Sequence, residues 1–220
     1  MSCFITFEGP DGSGKTTQIQ ALYSHLQQDG YPVLLVREPG GTDIGDQIRA
    51  TLHDPKNIKM LPNTETLLYS ASRAQLVGQM IRPALQAGTV VLCDRYAEST
   101  LAYQGYGHRL DLELLRAITA FVTGGLRPDL VIYLDIDAEK ALRRKQAAFR
   151  AGESEWNRMD QKELDFHRRV RAGYLEMANE EPERWFILDA ARSIAALQER
   201  IRERVKRLLT EQDIGATGTV

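Results

Sequence analysis

The sequence predicts an α/β fold with a doubly wound sheet of five parallel strands flanked by helices. Two observations predict it. Five short apolar runs alternate with longer helical stretches along the chain, and the first run is followed by a glycine-rich segment, G-x-x-x-x-G-K-T, at residues 9–16. Alternating strands and helices favour a parallel sheet that is covered on both faces. A glycine-rich segment between a strand and a helix is typical of the P-loop NTPase type of this fold.

The five predicted strands are apolar runs that are rich in β-branched and aromatic residues. They lie at residues 4–7, 33–36, 90–93, 130–134 and 185–188. None alternates between apolar and polar residues, as a half-exposed strand would. We therefore expect each strand to be buried on both faces.

Helical patterns fill most of the chain between and after these runs. They lie at residues 16–28, 45–52, 64–87, 111–123, 138–150, 162–179 and 194–209. The stretch AGESEWNRMDQ at 151–161 is polar and has no clear period, which predicts a mobile loop within a lid at about 143–160. We expect one domain over residues 1–210 and a flexible tail over 211–220.

Composition excludes several classes of protein. The 220 residues are 43% hydrophobic and 26% charged, and the formal net charge is −2. This charge argues against a partner such as nucleic acid or an anionic membrane. The N-terminus lacks a signal peptide, no apolar run approaches 18 residues, and Cys3 and Cys93 lie in apolar runs. We expect reduced, buried thiols and a cytoplasmic location.

The glycine-rich segment has the composition of a loop that binds nucleotide phosphates. Its glycines let backbone N–H groups surround a phosphate, and the following helix adds partial positive charge. Lys15 would reach the β- and γ-phosphates of ATP, and the Thr16 hydroxyl would bind Mg²⁺. The predicted ATP-binding residues are Gly9, Asp11, Gly12, Ser13, Gly14, Lys15, Thr16 and Thr17.

A carboxylate ends the third predicted strand. Asp94 follows the run VVLC, as in strands whose aspartate binds Mg²⁺ beside a phosphate loop. An ion pair with the adjacent Arg95 is the competing interpretation. No Asn-Lys-x-Asp segment that reads guanine is present, and the chain is short for a motor, so a small-molecule kinase fits best.

Three further segments are informative together with the phosphate loop. They are REPGGT at 37–42, Tyr69 with Arg73 one helical turn later, and DRYAESTLAYQG at 94–105. Arg-Pro-Asp at 127–129 precedes the fourth strand. In combination these segments closely resemble the thymidylate kinase family, and the resemblance runs from about residue 4 to residue 189.

The resemblance implies an ATP-dependent kinase that phosphorylates dTMP to dTDP in dTTP synthesis, with Mg²⁺ as cofactor and a homodimer as the assembly. Arg37 and Arg95 would bind the acceptor phosphate. Asp11 would face the 3′-hydroxyl or the acceptor phosphate and its Mg²⁺. The implied Mg²⁺ ligands are thus Thr16, Asp94 and Asp11, and the implied catalytic residues include Lys15, Asp11 and Arg95.

The resemblance also places the dTMP base and sugar. Tyr69 would stack on thymine, and Arg73 would donate a hydrogen bond to a thymine carbonyl. Thr100 and Gln104 would read the edge of the base, and Tyr103 would exclude a 2′-hydroxyl. Ser99 completes the predicted dTMP-binding set. From spacing alone, Tyr69 and Arg73 also fit an ordinary amphipathic helix with a core aromatic residue.

The chemistry of the reaction agrees with these assignments. A phosphomonoester is largely ionised at neutral pH, so the acceptor needs no strong general base. The difficulty is the approach of two polyanions, which is overcome by positioning and charge neutralisation. Arginine and Mg²⁺ serve that purpose, and we therefore predict no catalytic histidine.

The sequence departs from the family in its loop and lid. Some thymidylate kinases place an arginine where this chain has Gly12, so we expect a lid arginine to supply the missing cation. The candidates are Arg144, Arg150 and Arg158, with Arg150 and Arg158 ranked first because they border the stretch least able to fold alone. Family lids often carry Asp-Arg-x-Glu, whereas this chain has Asn-Arg-Met-Asp at 157–160.

Two other functions remain open from the sequence. One is a P-loop kinase for a nucleoside or a different nucleotide, and the other is a non-catalytic nucleotide-binding module. Turnover with a panel of acceptors would separate all three, since a binding module would produce no ADP with any of them. The homodimer is expected to form through the helix at 64–87, which carries Leu67, Leu68, Leu76, Val77, Met80 and Ile81.

Overall fold

The computed structural model describes residues 2–216 as one layered α/β unit. Its sheet contains five parallel strands, which lie in the order β2-β3-β1-β4-β5. Their bounds are Cys3–Glu8 for β1, Val33–Arg37 for β2, Val90–Asp94 for β3, Leu130–Asp135 for β4 and Trp185–Asp189 for β5. The five predicted strands and the predicted fold are confirmed.

Nine α-helices connect and cover the strands within residues 2–216. They are α1 Lys15–Gln28, α2 Asp43–His53, α3 Pro62–Leu76, α4 Arg82–Gln86, α5 Ala97–Thr100, α6 Leu112–Thr123, α7 Ala138–Arg150, α8 Leu164–Glu180 and α9 Ile194–Glu211. Wider π-helical turns at Val77–Ile81 and Leu101–Gly107 and a 3₁₀ turn at Arg158–Gln161 complete the helical structure. In this range, no helix is long and apolar enough to cross a bilayer.

Alternate residues of the central strands bury opposite faces of the sheet. On one face Cys3, Ile5 and Phe7 of β1 pack with residues of α1 and α9. On the other face, Phe4 joins a cluster with the end of α3, and Tyr133 of β4 joins one with α8. Both faces are thus apolar, which explains why the strands show no alternation in sequence.

The predicted helix at 64–87 is not uniform in the structure. It begins at Pro62, widens into the π-helical turn Val77–Ile81, and continues as α4. Pro83 lies in the first turn of α4 and has no N–H to donate, so the regular hydrogen-bond ladder cannot pass through it. Of the six apolar residues predicted for a dimer contact, Leu76, Val77 and Ile81 instead belong to the core.

Parts of the predicted lid and of the predicted tail have regular secondary structure. Residues 143–150 belong to α7, and the 3₁₀ turn after it is capped by Asn157, whose side chain accepts hydrogen bonds from the backbone of Met159 and Asp160. The chain beyond residue 210 completes α9 and buries Ile214 in the core. Residues 217–220 of the predicted tail lie outside the described residues.

Candidate active site

The glycine-rich segment forms a loop between β1 and α1. Gly12 and Gly14 have φ angles of 83° and 90°, in the left-handed region that glycine adopts without strain. Lys15 is buried, and its Nζ atom donates to the carbonyl oxygen of Pro10 at 3.0 Å. Burial and the charge of Arg95 lower the pKa of Lys15. A bound phosphate would supply the countercharge that favours the ammonium form.

Strand register brings two oxygen ligands together beside this loop. Asp94 ends β3 level with Phe7 of β1 and Arg37 of β2. The Thr16 hydroxyl donates to Oδ2 of Asp94 at 3.2 Å. Across residues 2–216, no group of three or more His, Cys, Asp or Glu side chains forms a metal site. The pair is therefore an incomplete site, whose other oxygen ligands would come from phosphate and water, as is usual for Mg²⁺.

Arg95 connects the phosphate loop to the rest of the cavity. It has a φ of 71°. Its Nη2 atom donates to Oδ1 of Asp11 at 2.5 Å, and Nη1 donates to Ser99 at 3.2 Å. The guanidinium also lies 5.2 Å from the ring centre of Tyr103. Burial alone would raise the pKa of Asp11, but the charges of Arg95 and Lys15 hold it below its usual value.

Glu8 is a buried carboxylate that the sequence reasoning missed. It accepts from the backbone N–H of Tyr96 at 2.7 Å and from the hydroxyls of Ser99 and Tyr174 at 2.6 and 2.7 Å. Because Ser99 also accepts from Arg95, Glu8 helps to fix the position of that arginine. Burial raises the pKa of Glu8 to about 7, although the charge of Arg95 opposes the rise. The sequence did contain a signal for Glu8, because a charged residue stands at the end of an otherwise apolar, buried strand.

Arg73 is held from three sides on α3. Its side chain is 1% exposed and donates to Glu38 at 2.7 Å, to the Thr100 hydroxyl at 2.9 Å and to the carbonyl of Tyr96 at 2.9 Å. Burial raises the pKa of Glu38 to about 7 against the charge of Arg73. The two sequence segments REPGGT and YSASR thus meet in one buried ion pair.

With the exception of Glu8, the charged side chains described above line a single cavity of about 800 Å³. Every predicted dTMP-binding residue lines it, namely Asp11, Arg37, Tyr69, Arg73, Arg95, Ser99, Thr100, Tyr103 and Gln104. Of the predicted ATP-binding residues, six line the cavity, whereas Gly9 and Ser13 are buried and absent from its lining. Seven Lys and Arg side chains face five carboxylates around the wall, a balance that suits polyanionic ligands.

Comparison with known proteins decides the family. The model of the thymidylate kinase family matches residues 7–201. The thymidylate kinase of Roseiflexus castenholzii is 56% identical over 209 residues, which are 91% of each chain, and that of Deinococcus radiodurans is 53% identical over 189 residues, 86% of this chain and 89% of the relative. The crystal structure of thymidylate kinase from Ehrlichia chaffeensis superposes with a TM-score of 0.73 at 29% identity, covering 93% and 98% of the two chains.

The chain belongs to the thymidylate kinase family. Its activity is the family's ATP-dependent phosphorylation of dTMP to dTDP, so the resemblance predicted from the motifs is confirmed.

The structure places the three candidate arginines differently from the ranking predicted from the sequence. Arg158 is 3% exposed and lies 2.6 Å from Glu65, outside the cavity lining. Arg150 is exposed at the end of α7 and also lies outside the lining. Arg144, which was ranked last, lines the cavity and donates to the carbonyl of Ala190 at 3.0 Å. The geometry therefore favours Arg144, because it alone of the three reaches the cavity in this conformation.

Several cavity residues carried no motif in the sequence. They are Arg49, His53, Lys145, Asp160 and His167. Burial and the charge of Arg49 lower the pKa of His53 to about 4, so this imidazole is neutral near pH 7. Burial raises the pKa of Asp160 to about 6, and Asp11 adds to that rise. Two of them lie on α2, and the others come from α7, α8 and the capped turn of the lid. Tertiary packing brings these elements together, which a local sequence pattern does not report.

Proposed function

We propose that phosphoryl transfer takes place at the junction where Asp11 lies between Lys15 and Arg95. The proposal rests on this one observation. A single carboxylate contacts both Lys15 of the phosphate loop and Arg95, which we assign to the acceptor side. The separations from Oδ1 of Asp11 are 3.7 Å to Lys15 and 2.5 Å to Arg95. A nucleotide phosphate on each side of Asp11 would meet one of the two cations.

On the donor side, the phosphate loop and α7 would neutralise the ATP phosphates. Lys15 and the helix N-terminus at Gly14 would bind the β- and γ-phosphates. Arg144 and Lys145 lie on α7, whose backbone packs against Gly12. We assign them the charge that other family members place within the phosphate loop.

On the acceptor side, Arg95 and Arg37 would bind the dTMP phosphate, and Ser99 would hold Arg95 in place. Tyr69 would stack on thymine, and Tyr103 would exclude a 2′-hydroxyl. These assignments are supported by the presence of all five side chains in the lining of one cavity.

The base edge would be read by three polar residues that line the same cavity, namely Arg73, Thr100 and Gln104. Arg73 would donate to a thymine carbonyl with the guanidinium hydrogens that its bonds to Glu38, Thr100 and Tyr96 leave free. Gln104 donates to Glu65 through Nε2 at 2.7 Å. Its amide oxygen is therefore the group that would accept from the thymine N3–H.

Mg²⁺ fits the pair formed by Thr16 and Asp94. Both ligands are hard oxygens, and their 3.2 Å separation is short enough for one ion to contact both or to bind one through water. The chemistry that Mg²⁺ would supply there is positive charge, which offsets the negative charge of the nucleotide phosphates. Asp11 remains a predicted third ligand that is engaged by Arg95 in this structure.

We also propose a cytoplasmic homodimer, acting in dTTP synthesis. The adjacent helices α3 and α6 expose Leu67, Leu114 and Phe121, whose exposed fractions are 59%, 59% and 86%. Leu114 and Phe121 are seven residues apart and so lie on one face of α6. Apolar surface of this kind is typical of an interface between copies.

An acceptor panel tests the proposed function. ADP production with dTMP, dUMP, dCMP, AMP and thymidine should be greatest with dTMP, and Lys15→Ala should reduce it on the order of 100-fold or more. Equal turnover with AMP would contradict the acceptor assignment. A fully active Lys15→Ala variant would contradict the donor assignment.

A further inference from the structure

Glu65 is a buried carboxylate to which the reaction assigns no role. It lies on α3 and its side chain is 0% exposed. Its Oε1 atom accepts from Nε2 of Gln104 at 2.7 Å and lies 3.2 Å from Nε2 of His108. Its Oε2 atom lies 2.6 Å from Nη1 of Arg158. One carboxylate therefore contacts both the proposed base-reading residue and the lid.

Arg158 fixes the end of the lid through this contact. Its Nε atom also donates to the carbonyl of Leu52 at the end of α2, at 3.1 Å. The turn that carries Arg158 is closed by a reciprocal capping pair, in which Asn157 and Asp160 each bond the other's backbone N–H. Asp160 lines the cavity 3.9 Å from Lys145. Displacing Arg158 would thus displace a side chain of the cavity wall.

Electrostatics makes the contact between Glu65 and Arg158 a strong constraint. Burial alone would raise the pKa of Glu65, but its contacts with His108, Arg158 and Gln104 lower it to about 2. Glu65 is therefore ionised at any working pH. A buried charge that loses its partner is strongly unfavourable. The position of Glu65 consequently determines the position of Arg158 and of the lid turn that carries it.

We propose that Glu65 is a positioning residue that couples binding of the thymine base to closure of the lid turn at 157–161. The proposal rests on the role assigned to Gln104 above. A thymine N3–H that donates to the amide oxygen of Gln104 would fix the orientation of that amide. The amide in turn holds Oε1 of Glu65, and the same carboxylate retains Arg158. Binding of dTMP without ATP should then stabilise the lid turn, although Gln104 and the lid turn are far apart in the sequence.

Two variants break the contact between Glu65 and Arg158, one from each side of it. Glu65→Gln keeps an oxygen that can accept from Gln104 but turns an amide N–H₂ toward Arg158, so it disrupts the lid contact selectively. Arg158→Met removes the cation from the lid side and provides the same readout if Glu65→Gln does not fold. Arg143→Gln is the control, since Arg143 is 71% exposed on α7 and pairs only with Glu139 among the described residues.

Hydrogen–deuterium exchange of residues 151–161 measures the coupling. Saturating dTMP should slow exchange there on the order of tenfold in the wild type and in Arg143→Gln, and should have no such effect in Glu65→Gln or Arg158→Met. The two variants should also lose on the order of tenfold in kcat, with a smaller rise in the KM for dTMP. Undiminished protection by dTMP in both variants would overturn the proposal.

A fourth variant separates this failure from failure of the proposed function. Gln104→Ala should raise the KM for dTMP on the order of tenfold and also abolish the protection of the lid turn. An unchanged KM in Gln104→Ala would overturn the base-reading role itself. A raised KM with intact protection would overturn only the coupling through Glu65.

Discussion

A Cβ atom on Gly12 would overlap the carbonyl oxygen of Ala141 in the first turn of α7. The same atom would lie 3.1 Å from the backbone nitrogen of Lys145. The phosphate loop and α7 thus meet backbone to backbone, which leaves no room for a side chain at position 12. This contact is consistent with our proposal that cations of α7 supply the charge that some family members place in the loop.

Gly12→Ala should therefore damage the site in two ways. The left-handed φ of 83° costs a non-glycine residue ~1 kcal/mol or more, and the overlap displaces α7 from the loop. We expect a fall in the free energy of unfolding of about 2 kcal/mol and a fall in kcat of tenfold or so, as α7 carries Arg144. Urea unfolding and steady-state kinetics measure the two effects.

Gly152→Ala is the matched control for this change. Gly152 has a φ of 75°, but nothing lies within 4 Å of the Cβ position. It should show the backbone cost without the loss of kcat. Equal losses of kcat in both variants would mean that packing of the loop on α7 does not matter for catalysis.

Arg144→Ala should lower kcat by a factor on the order of 10³ while leaving the KM for dTMP nearly unchanged. The reason is that Arg144 lines the cavity and is assigned by our proposal to the ATP phosphates, where charge develops during transfer. Arg150→Ala is the comparison variant and should retain near-normal kcat, since Arg150 lies outside the cavity lining. A larger loss for Arg150→Ala than for Arg144→Ala would restore the order predicted from sequence and would require the lid to rearrange when ATP binds.

The sequence predicts the sheet and most of the cavity because both depend on local patterns. Burial on both faces makes each strand a continuous apolar run, and the phosphate loop has a fixed spacing of glycines and lysine. The predicted dTMP-binding residues could be picked out because REPGGT, Tyr69 with Arg73, and the segment at 94–105 occur together in one sequence.

Residues that act through distant partners could not be predicted in this way. Glu8 bonds Ser99 and Tyr174, which are 91 and 166 positions away. Glu65 meets Arg158 only because α3 and the lid turn pack together, and the sequence around Arg158 shows a polar stretch without a period. Arg158 was ranked as a catalytic cation because this stretch looked unable to fold alone. In the structure, the capping pair of Asn157 and Asp160 folds the turn.

Phe121→Asp should dissociate the proposed homodimer. The Phe121 side chain is 86% exposed on α6, and a carboxylate there would face its symmetry mate across an isologous interface. Light scattering at micromolar concentration should give a dimer mass for the wild type and a monomer mass for the variant. Phe149→Asp changes an exposed aromatic residue on α7 instead and should leave the dimer intact. A wild-type monomer, or dissociation by Phe149→Asp alone, would contradict the assigned face.

Glu8 should make the stability of the protein depend on pH. Its pKa is about 7 in the folded chain, against 4.5 for an ordinary glutamate. Below about pH 4.5, Glu8 is protonated in both the folded and unfolded chains, and its favourable contribution is complete. Between these two values the folded chain retains a proton that the unfolded chain has lost. The free energy of unfolding therefore falls as pH rises through this window, by up to ~3 kcal/mol from Glu8.

Glu8→Gln isolates that contribution from the similar one of Glu38, whose pKa is also raised to about 7. Urea unfolding of the wild type and the variant at several pH values between about 5 and about 8 gives the difference in their free energies of unfolding. This difference, taken as wild type minus variant, should decrease as pH rises, because only the wild type loses stability through Glu8. Glu176→Gln is the control, since Glu176 accepts from the hydroxyl of Tyr106 at 2.9 Å on the surface, much as Glu8 accepts from Tyr174 inside. If the difference for Glu8→Gln were no more dependent on pH than that for Glu176→Gln, Glu8 would already be ionised in the folded protein near pH 5. Its hydrogen bonds and Arg95 would then outweigh its burial.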